Sequence, residues 1–539
     1  MLTSSGARSG PKEVGLYPVS RAAGRQKRAV KYIRRMSRRP TPDAVLRLVA
    51  ALVCGLAVSL AFPPYDVPWL MPVGLAGLIV LVRRARRGFA LGLLFGLGFM
   101  VPLLRWLTII GVDAWFVLSL LEAVFLGAMT VLWRSLAHRR SWPLLYAVSW
   151  TGFEVLRGVV PFGGFPWGTL AFGLVDSPVV RYGRLGGTAL VSLVVVGTVA
   201  VLVDLVERRE RSALGILTAV SAVVLVAVSA LLPAGVAGAS RTVRVAAIQG
   251  NVPGEGMNPF AERRKVLDNH ATTTRAYAEH VTAGERPAPD IVIWPENSTD
   301  IDPYVDPSAY DEIDQAVRAI GVPTLVGAVV DGPTDTQVQN MGIVWDPRTG
   351  PGAQYVKRHP VPFGEYIPFR GLLTKFISRL DQIPRDFARG DRAGVLQLGD
   401  VTVGDVICFE VAYDGLVRDV VNGGGQLLVV QTNNATYTGT GQLEQQFAIS
   451  RYRAIETGRT VVVTATNGIS GVIAPSGQVV ERSEQRTRAV LEQTVTLGED
   501  VTPGVRLGWW LELLAALATA ALVVAGLLER RRRTGTMGE

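Results

Sequence analysis

Three short stretches of the 539-residue chain hold residue types that together could do chemistry: Glu296 in WPE (294–296), Lys357 in YVKRHPVPFGEY (355–366) and Cys408 in CFE (408–410). A thiol becomes a strong nucleophile as its thiolate, which a nearby cation and a base bring about. A carboxylate such as Glu296 can take the thiol proton, and an ammonium such as Lys357 can stabilise the oxyanion of a tetrahedral intermediate. The backbone N–H of Phe409 offers a second oxyanion donor. This set can carry out acyl transfer through a thioester, and no histidine is required, unlike a papain-like site. Taken singly, each residue has a plainer explanation. Cysteine is often a small buried hydrophobe, a strand-terminal glutamate often caps a helix, and a lone lysine is usually solvated. Their joint occurrence at strand ends, where α/β sheets gather catalytic groups, is what points to a site.

The elements that must position these residues lie in 241–500. TVRVAAIQGN (242–251), DIVIWPEN (290–297), PTLVGAVV (323–330), VTVGDVICFE (401–410), QLLVVQTN (426–433) and TVVVTATN (460–467) read as strands. Helical periodicity fills 259–283, 308–320, 413–422 and 441–458 between them. The alternation predicts an α/β domain with helix-covered sheets.

The rest of the chain is different in kind. Hydrophobic residues make up 49% of the whole, and they crowd into 44–237 and 508–528. Candidate spans of about 20 apolar residues fall near 44–63, 67–82, 88–110, 113–133, 142–158, 187–206, 213–235 and 508–528. The net charge of +10 could suggest nucleic acid. Its placement excludes that class: the arginine clusters at 25–39, 83–87, 133–140, 207–212 and 529–533 each border an apolar run. They put those ends in the cytoplasm, with the loops between them and the whole of 241–500 outside. The predicted organisation is a basic cytoplasmic tail (1–43), a membrane domain of seven helices (44–237), an extracytoplasmic catalytic domain (241–500), a closing span (508–528) and a second basic cytoplasmic tail (529–539). The Gly- and Pro-rich segment 159–186 is too irregular for a span, and Phe162, Phe165, Trp167 and Phe172 suit it either to the outer interface or to a plain hydrophobic loop. Two cysteines give no disulfide framework, and four scattered histidines give no metal-binding spacing, so neither metal nor cofactor is expected. Glu122 lies mid-span and is expected to pair, and Glu154 and Arg157 at i and i+3 are placed to pair with each other.

WPE, KxHxVPFGEY and CFE resemble the Glu–Lys–Cys triad of the carbon–nitrogen hydrolase (nitrilase) superfamily. With seven preceding spans, one closing span, FEVLRG (153–158), GFPWG (164–168) and IQGNVP (248–253), the chain resembles the apolipoprotein N-acyltransferase family. The resemblance implies an αββα sandwich borne by about eight transmembrane helices in the cell membrane. It implies Glu296 as general base, Lys357 as electrostatic stabiliser and Cys408 as nucleophile, with Glu365 and Glu410 as supporting carboxylates. Trp167 and Pro368 match positions near the site or the lipid entrance. Phe409 stands where relatives often have tyrosine, and Met257 and Phe260 are the nearest apolar residues where the arm after IQGNVP often carries tryptophan. The implied reaction takes an acyl chain from a membrane phospholipid and gives it to the N-terminal amine of a diacylglyceryl-cysteine lipoprotein. Two alternatives remain: a membrane scaffold for a polyprenol-phosphate mannosyltransferase, and a membrane-tethered amidase that consumes water rather than an amine.

Overall fold

The computed structural model describes residues 42–208, 213–252, 263–375, 377, 380 and 384–535. Most of the N-terminal tail, the arm with Met257 and Phe260, most of the 207–212 arginine cluster and residues 536–539 lie outside the described residues.

Each of the eight apolar stretches forms a helix: Pro42–Ser59, Leu70–Arg84, Phe89–Leu103, Val112–Leu136, Trp142–Arg157, Gly183–Arg208, Ala213–Val228 and Pro503–Gly535. Four apolar helical runs have the length and composition to cross a membrane: Pro42–Ser59, Val112–Leu136, Pro178–Glu207 and Pro503–Glu529. The helices Leu70–Arg84, Phe89–Leu103, Trp142–Arg157 and Ala213–Val228 have only 15 or 16 residues. In the third stretch Pro102, which has no N–H for the helical ladder, sits in the last turn, and the chain continues as a 3-10 helix, Arg105–Ile109. Small residues let helices approach closely: a Cβ on Gly55 would stand 1.9 Å from the Phe95 carbonyl oxygen, and one on Gly98 2.1 Å from that of Leu52.

In segment 159–186, Val159, Val160 and Phe162 are exposed and the stretch from Pro166 on turns inward. It folds into the 3-10 helices Pro166–Gly168, Leu170–Leu174 and Pro178–Tyr182, with Trp167, Leu170 and Ala171 almost fully buried. A buried ion cluster holds it. Arg157 pairs with Glu122 at 3.1 Å and donates to the Phe165 carbonyl at 3.1 Å. Glu154 accepts from Leu170 N at 2.9 Å and from the Ser192 hydroxyl at 2.5 Å. The local Glu154–Arg157 pairing is therefore secondary, at 3.9 Å. Exchanging the two charges would set a carboxylate against Glu122 and leave the Leu170 amide without its acceptor.

The domain beyond residue 238 is a sandwich of two sheets. The first runs β13 (Ala489–Gly498), β1 (Ala239–Gln249), β2 (Ile291–Ile293), β3 (Thr324–Asp331), β4 (Gln337–Asp346) and β5 (Gly350–Val356), with β6 (Asp386–Phe387) beside β4. The second runs β12 (Val479–Arg482), β11 (Gly471–Ile473), β10 (Val461–Ala465), β9 (Leu427–Thr432), β8 (Val401–Ile407) and β7 (Val395–Leu398). At the heart of each sheet the pairing is parallel, β1–β2–β3 and β8–β9–β10. Strands covered on both faces read as continuous apolar runs, which is why β9 and β10 are buried at every residue. Helices Arg263–Thr282 and Pro307–Ile320 cover the first sheet, and Asp414–Asn422 and Gly441–Thr457 cover the second. Asp306 caps Pro307–Ile320 by accepting from Ser308 N and Ala309 N, and Gly321 ends it in the left-handed region.

Asp414, Arg418, Arg453 and Glu456 bind the second sheet's helices to the membrane helices. Arg453 meets Asp414 at 2.7 Å and Glu456 at 2.6 Å, Thr188 donates to Asp414, and Arg418 reaches Glu512 of the last helix.

Candidate active site

Cys408 stands where β8 ends. It has φ of 58°, a left-handed conformation that costs a non-glycine residue roughly 1–2 kcal/mol. The turn starts the 3-10 helix Cys408–Ala412 and projects the side chain off the strand end. Glu296 stands three residues after β2, and Lys357 follows β5 directly.

These strand ends meet. Lys357 Nζ donates to Glu296 Oε1 at 3.0 Å and to Glu365 Oε1 at 2.7 Å. Asn340 Nδ2 also donates to Glu296 Oε1, at 2.7 Å, and Asn433 N donates to Glu296 Oε2 at 2.7 Å. Glu365 is fixed by Val361 N, 2.7 Å from its other oxygen. Burial alone works against the Lys357 ammonium, but Glu296, Glu365 and the Cys408 sulfur outweigh it and hold its pKa well above the ordinary lysine value. Burial pushes the Cys408 thiol up to about 12, and Glu296 adds to the rise; Lys357 and the Thr432 hydroxyl pull the other way. At rest the thiol keeps its proton and donates to Asn434 Oδ1 at 3.8 Å, while Thr432 Oγ1 lies 3.4 Å from the sulfur. Burial pushes His359 down to about 4, so this neighbour of Lys357 is neutral at pH 7.

Glu410 is fully buried and works as a clip. One oxygen accepts from Arg358 N at 2.7 Å and His359 N at 2.9 Å; the other accepts from Tyr355 OH at 2.8 Å and Ile407 N at 2.8 Å. It thereby ties the segment carrying Lys357 to the turn carrying Cys408. Burial raises the pKa of its carboxyl, and the donors and Lys357 oppose that rise. Glu410→Gln turns an N–H₂ toward groups that can only be donors on one side. The expected result is a loss of about 2–3 kcal/mol in stability, read by thermal unfolding, and a fall in acyl transfer with it. A variant as stable as the parent contradicts the clip.

Phe409 points into aromatic company from the membrane segments. Its ring stacks on Trp167 at 4.5 Å between centroids and lies 6.0 Å from Phe165 and 6.2 Å from Trp106. Trp167 thus packs against the residue that follows Cys408. Pro368 is buried in the loop after Glu365. Met257 and Phe260 lie outside the described residues. The sequence reading missed Asn340, Thr432, Asn433, Asn434 and Trp106. QTNN (431–434) carried a usable signal, since it is a polar strand end like the three chosen. Asn340 sits inside β4 and Trp106 inside an apolar run, and nothing local marks either.

Comparison with known proteins agrees with this architecture. Residues 54–201 match the apolipoprotein N-acyltransferase N-terminal domain, and residues 244–500 match the carbon-nitrogen hydrolase family. The apolipoprotein N-acyltransferase of Mycolicibacterium smegmatis is 37% identical over 516 residues, covering 91% of this chain and 86% of the relative. Those of Chromobacterium violaceum and Gloeobacter violaceus are 29% and 30% identical, each covering 92% of this chain, and 97% and 96% of the relatives. With both halves matched in order and most of its length shared with these relatives, the chain belongs to the apolipoprotein N-acyltransferase family.

Proposed function

We propose that this protein moves an acyl chain from a membrane phospholipid to the N-terminal amine of a diacylglyceryl-cysteine lipoprotein, by way of a thioester on Cys408. The observation that carries this reading is the stacking of Phe409, the residue after the nucleophile, on Trp167 of the membrane domain. A site for a soluble amide has no need of indoles supplied by the membrane domain, whereas a lipid ester can reach such a site with its tail still in an apolar phase.

In the first half-reaction Glu296 takes the Cys408 proton and the thiolate attacks the ester carbonyl carbon. Lys357 and the Phe409 N–H stabilise the oxyanion. The intermediate expels the lysophospholipid alkoxide, which receives the proton from Glu296, and the acyl group stays on sulfur. In the second half-reaction the acceptor amine attacks the thioester, Glu296 takes the amine proton, and the Cys408 thiolate leaves and is reprotonated. The product is an amide. The eight helices are read as seven spans, an extracytoplasmic catalytic domain and one closing span, with both termini cytoplasmic; the arginine clusters support this orientation. The matched relatives give no support to the mannosyltransferase scaffold or the amidase.

The test is the intact mass of purified protein incubated with phospholipid and no acceptor. The expected outcome is an acyl adduct on Cys408 that hydroxylamine removes, with an equivalent of lysophospholipid released. Phospholipid bound without either product would sink the proposal.

A further inference from the structure

Gln445 lies in helix Gly441–Thr457 of the catalytic domain and is 5% exposed. Its side chain makes four hydrogen bonds, all to the membrane domain. Oε1 accepts from Trp167 Nε1 at 2.7 Å and from Trp106 Nε1 at 3.1 Å. Nε2 donates to the Pro63 carbonyl at 3.0 Å and the Leu103 carbonyl at 3.0 Å. Indoles only donate and backbone carbonyls only accept, so these partners fix which end of the carboxamide faces which, and its two N–H donors and two lone pairs are all used. The partners come from three separate segments: the loop after Pro42–Ser59, the end of Phe89–Leu103 with the turn after it, and Pro166–Gly168.

The two indoles are the ones packed on Phe409, and Trp106 also meets Tyr437 edge-on at 5.1 Å. The next residue, Gln446, serves the nucleophile's side. Its Nε2 donates to Thr432 Oγ1 at 2.8 Å, and Thr432 touches the Cys408 sulfur. Gln445 is not alone in joining the two domains, since Thr188 donates to Asp414 and Arg418 reaches Glu512. What Gln445 adds is direction. Stacking governs how two rings face each other but not where their N–H edges point. One oxygen bonded to both indole N–H groups fixes where both N–H edges point, and in a buried site a bond left unmade is costly.

We infer that Gln445 is a positioning residue that holds Trp106 and Trp167 as a fixed apolar wall where the donor's acyl chain meets Cys408. This rests on the acyltransferase reading above.

The experiment uses the full-length protein in detergent micelles containing dioleoyl phosphatidylethanolamine and dioleoyl phosphatidylglycerol. Gln445→Met keeps the side chain's length and removes all four bonds. The phospholipid KM for thioester formation is expected to rise roughly tenfold. Iodoacetamide, which needs no acyl wall, should alkylate Cys408 at a rate within about twofold of the parent's. In a Trp106→Phe/Trp167→Phe background, where the indole donors are gone, Gln445→Met should add less than about twofold. The assignment is overturned by an unchanged lipid KM, by alkylation slowing in step with thioester formation, or by the full effect persisting in the double-Phe background. If Gln445→Met does not accumulate folded, Trp167→Phe carries the test, since it removes one donor and keeps a ring on Phe409; no change in its lipid KM overturns the assignment. A parent protein that forms no thioester overturns the acyltransferase reading and this inference together, whereas a working parent with an unaffected Met variant overturns only the latter.

Discussion

Cys408→Ala is expected to leave a folded protein that still binds phospholipid but transfers acyl groups at least about 10⁴-fold more slowly, with no acyl adduct by intact mass. The size of the effect follows from the role. Without sulfur there is no covalent intermediate, and neither Lys357 nor Glu296 can supply one. The fold should survive because little structure depends on the sulfur. Its hydrogen bonds among the described residues are the long ones with Asn434 and Thr432. Alanine needs the same left-handed backbone that cysteine already adopts there, so it adds no new strain. Transfer retained within tenfold would mean that acyl groups pass directly from donor to acceptor and that the thioester is not on the route.

Glu296→Gln should separate two properties of the same thiol. Acyl transfer should fall by about 10²–10⁴-fold, because the base that takes the thiol and amine protons is gone. The intrinsic acidity of Cys408 should move the opposite way. In the parent, burial and the Glu296 charge together push the thiol up to about 12. Removing that charge removes a cause of the rise, while Lys357, still paired with Glu365, continues to favour the thiolate. The thiol pKa therefore drops, and at any pH below it the thiolate fraction grows. Iodoacetamide alkylation measured from pH 7 to 10.5 should be faster in the variant, its profile displaced to lower pH. An alkylation profile displaced upward, or unmoved with transfer intact, would remove Glu296 from the site's electrostatics and from the base role.

How much of this was open to reading along the chain depends on the range of the interactions. The α/β alternation, the eight apolar helices and the three strand ends that carry Glu296, Lys357 and Cys408 are local properties: period, run length and the residue that ends a run. They were legible in segments such as QLLVVQTN and VTVGDVICFE because a doubly covered strand must be apolar throughout and must stop where polar groups begin. The αββα arrangement and the pairing of Glu296, Lys357 and Cys408 came from resemblance, since no local rule says which strand ends meet. What only tertiary structure decided is which distant groups become neighbours. Arg157 sits closer to Glu122 than to the local Glu154, because packing of two membrane helices outranks a spacing of three residues on one. Glu410 was visible as a carboxylate after Cys408, but three of its four donors lie in 355–359, more than fifty residues away. Gln445 reads as an ordinary polar helix residue, and its partners lie 278 to 382 positions away. A buried polar group is defined by the complement of donors and acceptors around it, and that complement exists only after the chain has folded.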